Sequence, residues 1–265
     1  MRLLFKLTGA ALAAVSLSPI QLIADQGDDL AKQLANPIAS LISVPFQLNY
    51  DEGFGASGDG SRLTLNIQPV IPFELNDDWN VISRTILPVI SQEDFTPGTS
   101  QSGIGDVVQS FFFSPKAPSA SGWIWGAGPV FLLPTATDSA LGQDQLGAGI
   151  TGVALKQVGP WTYGALANHI WDVGGGSTDI NATFFQPFIS YITPEKWTFS
   201  LNTELTYDWN TDSANVPINM TATKLIQIGN RPVSIGGGLR YYADSPAGGA
   251  DGWGARMIVT YLFPK

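Results

Sequence analysis

Trp197-Thr198-Phe199-Ser200-Leu201-Asn202-Thr203-Glu204-Leu205-Thr206-Tyr207-Asp208-Trp209 decides the fold. Trp197, Phe199, Leu201, Leu205, Tyr207 and Trp209 share one parity, with Thr203 the single polar member. Thr198, Ser200, Asn202, Glu204, Thr206 and Asp208 occupy the other. Side chains alternate across a strand, so this is a strand with one apolar and one polar face. It is roughly twice the common strand length of about 5–6 residues. Aromatics close both ends of its apolar face. A membrane-spanning β-barrel needs strands of this length and pattern, with Trp and Tyr at the lipid boundary.

The composition agrees. Charged residues make up 13% of the 265, about half the usual share of about 25%. No internal segment is a long unbroken apolar run, which excludes a helical membrane protein. The chain has no Cys and one His. That removes thiolate chemistry, disulfides and Cys-based zinc sites, and no cofactor or metal is expected. A formal net charge of −9 argues against nucleic acid as a partner.

Residues 1–24 read as a secretory signal peptide. Arg2 and Lys6 form its positive start, and Leu7 to Leu17 is an apolar run too short to span a bilayer. The competing reading is a buried N-terminal helix. Residues 25–43 form a separate segment with helical spacing at Leu30, Leu34, Ile38 and Leu41, interrupted by Asn36-Pro37. It can lie on the membrane surface, plug a lumen or lead into the barrel. Residues 44–265 are the barrel.

About twelve strands are expected, near 44–50, 61–73, 79–91, 104–114, 122–134, 145–156, 160–171, 180–192, 196–209, 217–228, 232–243 and 252–263. An even count is usual for bacterial single-chain barrels. The connections after odd strands are long, such as Gln92 to Gly103 and Thr135 to Asp144. Those after even strands are mostly short, such as Gln157 to Gly159 and Gly229 to Arg231. External loops at one end and periplasmic turns at the other produce this alternation. Trp79, Trp123, Trp125, Trp161 and Trp197 sit where odd strands begin. Trp171, Trp209 and Trp253 sit at the opposite end.

Some stretches resist the pattern. Pro69, Pro72, Pro129 and Pro187 fall inside strands of a sheet that has no free edge, so bulges or strand ends are expected there. The third strand carries Ile82, Ile86 and Ile90 opposite Trp79, Val81, Leu87 and Val89, and does not alternate cleanly.

Several blocks resemble a bacterial family of outer-membrane transporters often carried under the label "neuromedin U", related to the MetA-pathway phenol degradation family. They are Leu65 to Phe73, Leu75 to Asn80, Gly103 to Asp106, Gly122 to Gly126, Leu133 to Asp138, Gly159-Pro160-Trp161, Gln186-Pro187-Phe188 and Tyr261 to Lys265. The resemblance covers most of the chain after the signal. It departs from the family at Ile218-Asn219-Met220, where a Gly-rich start is expected. It implies an outer-membrane barrel and a transport role, with no substrate and no catalytic motif to carry over.

The polar strand faces supply the candidate lumen lining: Arg62, Arg84, Asn202, Glu204, Asp208, Arg240 and Arg256. These charges either set a gradient that selects a solute or pair and brace a closed lumen. Acids such as Asp51, Glu52, Asp94 and Asp144 lie in the expected loops without calcium-loop spacing and read as a solvated rim. His169 shares the outward face with Trp161, Tyr163 and Trp171, and no Ser partner for a hydrolase is evident nearby. Gly174 to Gly176 and Gly236 to Gly238 lack the Lys-Ser/Thr of a phosphate loop.

The expectation is an all-β protein: a transmembrane antiparallel up-and-down β-barrel in the outer membrane of a Gram-negative bacterium. It meets membrane lipid outside and a small-molecule solute inside, for which the family resemblance implies a hydrophobic or aromatic character. It is not expected to be an enzyme. A structural or adhesin-like closed barrel and an outer-membrane lipid hydrolase are the alternatives.

Overall fold

The computed structural model describes residues 27, 29–174, 176 and 179–264; the expected signal peptide lies outside the described residues. The chain forms twelve barrel strands: β1 (Ile42–Phe54), β2 (Gly60–Ile67 and Val70–Glu74), β3 (Trp79–Glu93), β4 (Ser100–Ile104 and Val107–Pro115), β5 (Trp123–Leu133), β6 (Gly147–Val158), β7 (Trp161–Asp172), β8 (Asn181–Ile192), β9 (Trp197–Thr203 and Leu205–Asp208), β10 (Ser213–Asn215 and Pro217–Ile228), β11 (Arg231–Tyr242) and β12 (Gly252–Phe263). Each pairs antiparallel with its sequence neighbours, and β12 closes on β1 from Ile42↔Phe263 to Tyr50↔Ala255. The up-and-down barrel is therefore complete, with no free edge to template aggregation. The main departure in boundaries is β1, which continues to Phe54 and absorbs Asp51 and Glu52 from the expected loop.

Register assigns the faces. On β9, Trp197, Phe199 and Leu201 are exposed, while Thr198, Ser200 and Asn202 point inward. Thr203, the polar member of the outer face, turns its hydroxyl onto the Pro217 carbonyl at 2.8 Å. Its polarity is satisfied within the wall rather than shown to hydrocarbon. Ile150, Met257, Trp253, Leu239 and Phe199 are each more than half exposed on the outside. Aromatic neighbours project from the strand ends, with Trp79 edge-on to Trp125 at 5.8 Å and Trp123 edge-on to Tyr163 at 6.3 Å. An outer wall that is apolar all round is stable only in lipid.

The prolines coincide with gaps in the hydrogen-bond ladders. Pro69 lies in the break of β2 between Ile67 and Val70. Pro72 follows Val70, where the last pairing with β1 ends at Ser43. Pro129 falls where the β4–β5 ladder skips from Ser110↔Val130 to Phe113↔Ala127. Pro187 falls between Phe185↔Leu205 and Phe188↔Asn202 of the β8–β9 ladder. Each missing N–H thus meets a position that lacks a ladder bond. Gly236 and Gly238 stand where two strands crowd each other. A Cβ at either would collide with the backbone of β10, at the carbonyl oxygens of Ala222 and Met220. The two strands approach too closely there for any side chain.

The interior has two unlike walls. From β3 to β8 the inward face carries an apolar cluster, in which Ile82, Phe112, Val153, Leu155 and Leu166 are buried with Val70, among small or uncharged polar groups such as Ser110, Thr151 and Thr162. From β9 round to β2 it carries the charged groups Glu204, Arg240, Arg256 and Asp51, with Val233 and Leu262 buried nearer the short turns. The clean alternation expected of a lumen-lining strand therefore fails on β3, because both faces of that strand meet apolar surroundings. The segment before β1 lies inside the barrel. Residues 29–34 are helical. Ile38 packs into the apolar cluster, and Ala39 and Leu41 pack against Leu262. Gln157 Nε2 donates to the Lys32 carbonyl, and Asn80 Nδ2 to Ser40 Oγ at 2.9 Å. Of the three placements open from sequence, the chain takes the lumen, at the end of the short turns. At the other end residues 134–146 fold against β4. Asp106 accepts the N–H groups of Ala136 and Gln143, and Leu141 is buried.

Candidate functional site

Adjacent strands bring together the charges on the polar wall. Arg256 projects from β12, Arg240 from β11, Glu204 from the interruption of β9, and Asn49 and Asp51 from β1. Arg256 forks onto Glu204, with its two terminal nitrogens 2.9 and 2.8 Å from the two carboxylate oxygens, and its Nε donates to Asn49 Oδ1 at 2.7 Å. Such a bidentate pair fixes geometry as well as charge. Arg240 bridges the two acids: Nε stands 3.1 Å from Asp51 Oδ1, and a terminal nitrogen 3.9 Å from Glu204. The Nε–Oδ1 contact is an ion pair without hydrogen-bond alignment, since neither atom has a hydrogen-bond partner. Arg240 also donates to the Tyr242 hydroxyl at 2.9 Å. Two arginines and two acids thus form a neutral quartet, as charges removed from bulk water require.

The other sequence candidates lie around this quartet. Asn202 Oδ1 accepts from Asn219 Nδ2 at 2.9 Å, one step along the same wall. Arg84 is on β3, where the polar wall meets the apolar one, and donates to Gln68 Oε1 at 3.1 Å. Arg62 is nearer the long loops. It holds Gln92 Oε1 with two nitrogens and lies over the Phe95 ring at 4.5 Å. Asp208 stands apart: its carboxylate accepts the N–H groups of Asn210 and Thr211 and shapes the β9–β10 turn. Asn49, Asp51, Asn219 and Tyr242 complete the network and were not among the candidates. Asp51 had been placed on the solvated rim, yet it is 5% exposed and faces the lumen. Extending the alternation Gln47, Asn49, Asp51 against Leu48 and Tyr50 would have found it.

Three adjoining cavities, of about 220, 230 and 180 Å3, open along this wall, and Arg84 borders all three. Glu204, Arg256 and Asn202 line the first; Phe188, Ser190 and Pro37 line the second. Among the described residues no group of three or more His, Asp or Glu side chains could hold a metal ion.

His169 points outward, and the hydroxyl beside it belongs to a threonine, not a serine. Thr183 Oγ1, its register partner on β8, lies 2.7 Å from Nδ1. Trp209 Nε1 donates to the same hydroxyl at 2.8 Å, and Trp171 packs on the imidazole at 4.2 Å. His169 Nε2 is buried without a hydrogen-bond partner. A hydrolytic site needs a third group to orient the imidazole, and none is bonded there.

No family model matches the chain, and no curated protein matches it in sequence. Solved structures do match it in fold. An outer membrane channel from Pseudomonas putida F1 superposes with a TM-score of 0.65 at 14% identity, covering 84% of this chain and 94% of that one. Outer membrane phospholipase A from Escherichia coli superposes with a TM-score of 0.50 at 10% identity, covering 84% of this chain and 90% of that one. The closed barrel and its lipid-facing wall describe a Gram-negative outer-membrane β-barrel, a fold that these solved structures share.

Proposed function

We propose that this barrel is a channel that passes small molecules across the outer membrane and performs no chemistry on them. The supporting observation is the fixed quartet of Asp51, Glu204, Arg240 and Arg256 facing a chain of cavities along one wall. Rings and rows of held charge select solutes in pores. In this reading Arg62, Arg84 and Asn202 line the same route, while Asp208 shapes the turn beside its outer mouth. The apolar wall opposite favours solutes with an apolar or aromatic body, in keeping with the resemblance to the transporter family. Reconstituted protein in a planar bilayer tests the reading: conductance is expected, and Glu204→Gln or Arg240→Gln should change its ion selectivity.

A second reading, a structural barrel with a closed lumen, draws on the packing of Ile38 and Leu41 inside the wall. It calls for neither conductance nor liposome swelling. Lipid hydrolysis would rest on His169 and Thr183 alone, and His169→Ala should leave phospholipid intact at the wild-type level.

A further inference from the structure

Among the described residues, four arginines (Arg62, Arg84, Arg240, Arg256) and two acids (Asp51, Glu204) line the barrel interior. Arg240 and Arg256 are consumed by those acids. Arg62 is occupied by Gln92 and by the Phe54 and Phe95 rings. Arg84 is left over. Among the described residues no carboxylate lies within ion-pair distance of it, and its side-chain hydrogen bond goes to the neutral Gln68 at 3.1 Å. Glu204, the acid whose field reaches it, is already held by Arg256. A cation shielded from bulk water needs water or an anion beside it, and Arg84 is the charged residue that borders all three cavities, with Leu34 beside it in each.

Its setting is asymmetric. On one side stand Gln68, Gln186, Ser200 and Asn202. On the other are Leu34, Pro37 and Phe188, which border the same space, with Ile82 two residues along the same face of β3.

We propose that Arg84 binds the carboxylate of a small amphipathic monoanion whose apolar body lies against Leu34, Pro37 and Phe188. A guanidinium presents paired donors that match a carboxylate, and Gln68 holds the fork toward the cavity. The inference rests on the channel reading for its purpose, since it names the class of solute; the binding itself does not depend on conduction.

Titration calorimetry of the full chain in lipid nanodiscs, with empty nanodiscs as the blank, tests it. The probes are octanoate, octylamine and octan-1-ol, alike in tail and different in head. Octanoate should bind tightest. Arg84→Gln should weaken octanoate by on the order of tenfold or more, as loss of a charge-assisted bond implies, and should leave octan-1-ol unchanged. Arg84→Lys should restore part of the loss, and the heat-modified gel shift of each variant reports that the barrel has closed. Octanoate binding with unchanged affinity to a folded Arg84→Gln overturns the proposal. So does octylamine binding as well as octanoate, or no binding of octanoate to the wild type. Octanoate binding without bilayer conductance sustains it and defeats the channel reading instead.

Discussion

The wall from β3 to β8 and the wall from β9 round to β2 belong to one sheet and meet the same lipid, yet they differ inside. On the first, Phe112 and Leu155 are fully buried and Ile82 nearly so. The interior there is a packed core that happens to be enclosed by a barrel. On the second, Asn219 is fully buried and Arg256 3% exposed, and each is held by polar partners. One wall supplies the cohesion of close-packed side chains. The other supplies held charge and space. A barrel with charges all round its interior would have to fill with water or fix every one of them, whereas this one gathers its interior ion pairs on β9, β11, β12 and β1.

Substitutions that exchange the character of the two walls should break the comparison, and their effects should fall in a definite order. Phe112→Ala empties the centre of the apolar wall and should cost about 3–5 kcal/mol, read as earlier unfolding in urea by the gel shift of the closed barrel. A variant as stable as the wild type would mean that this wall is not a core. Glu204→Gln removes the acid shared by Arg240 and Arg256. Breaking a buried pair costs about 3 kcal/mol or more, and reversal potentials in a salt gradient should move toward chloride. Unchanged selectivity would place the ion path elsewhere. Gly238→Ala forces a methyl group against β10 and should cost about 1–3 kcal/mol, as overpacking does. The smallest effect is expected outside, where Thr203→Val loses the bond to Pro217 at a cost of about 1 kcal/mol and leaves conductance unchanged.

The same contrast explains what was legible in the sequence. The ninth strand could be read at once because its two faces meet different surroundings, lipid and held charge. The third could not, since Ile82 is packed inside while Val89 faces out, and a period of two disappears when both sides are apolar. The strand count and the alternation of connections followed from turn residues and aromatic positions alone. The network was half legible. Glu204, Arg240 and Arg256 were legible because each falls on the polar face of an alternating strand. Asp51 falls in a loop when the first strand is ended at Tyr50, and the strand in fact continues to Phe54. The Thr183 partner of His169 was missed because it is set by register across two strands, which no local spacing records. The N-terminal segment could not be placed by its periodicity, because lipid surface and barrel interior accept the same apolar stripe.

The absence of cysteine makes the decisive measurement direct. Single cysteines at Ser200 and Thr223 on the charged wall, and at Val153 and Leu166 on the apolar wall, can be exposed to a charged, membrane-impermeant thiol reagent in intact proteoliposomes. Rapid labelling at Ser200 and Thr223 with protection at Val153 and Leu166 is the predicted result. Equal labelling on both walls, or protection at all four positions, would contradict the division of the lumen into a wet half and a dry one.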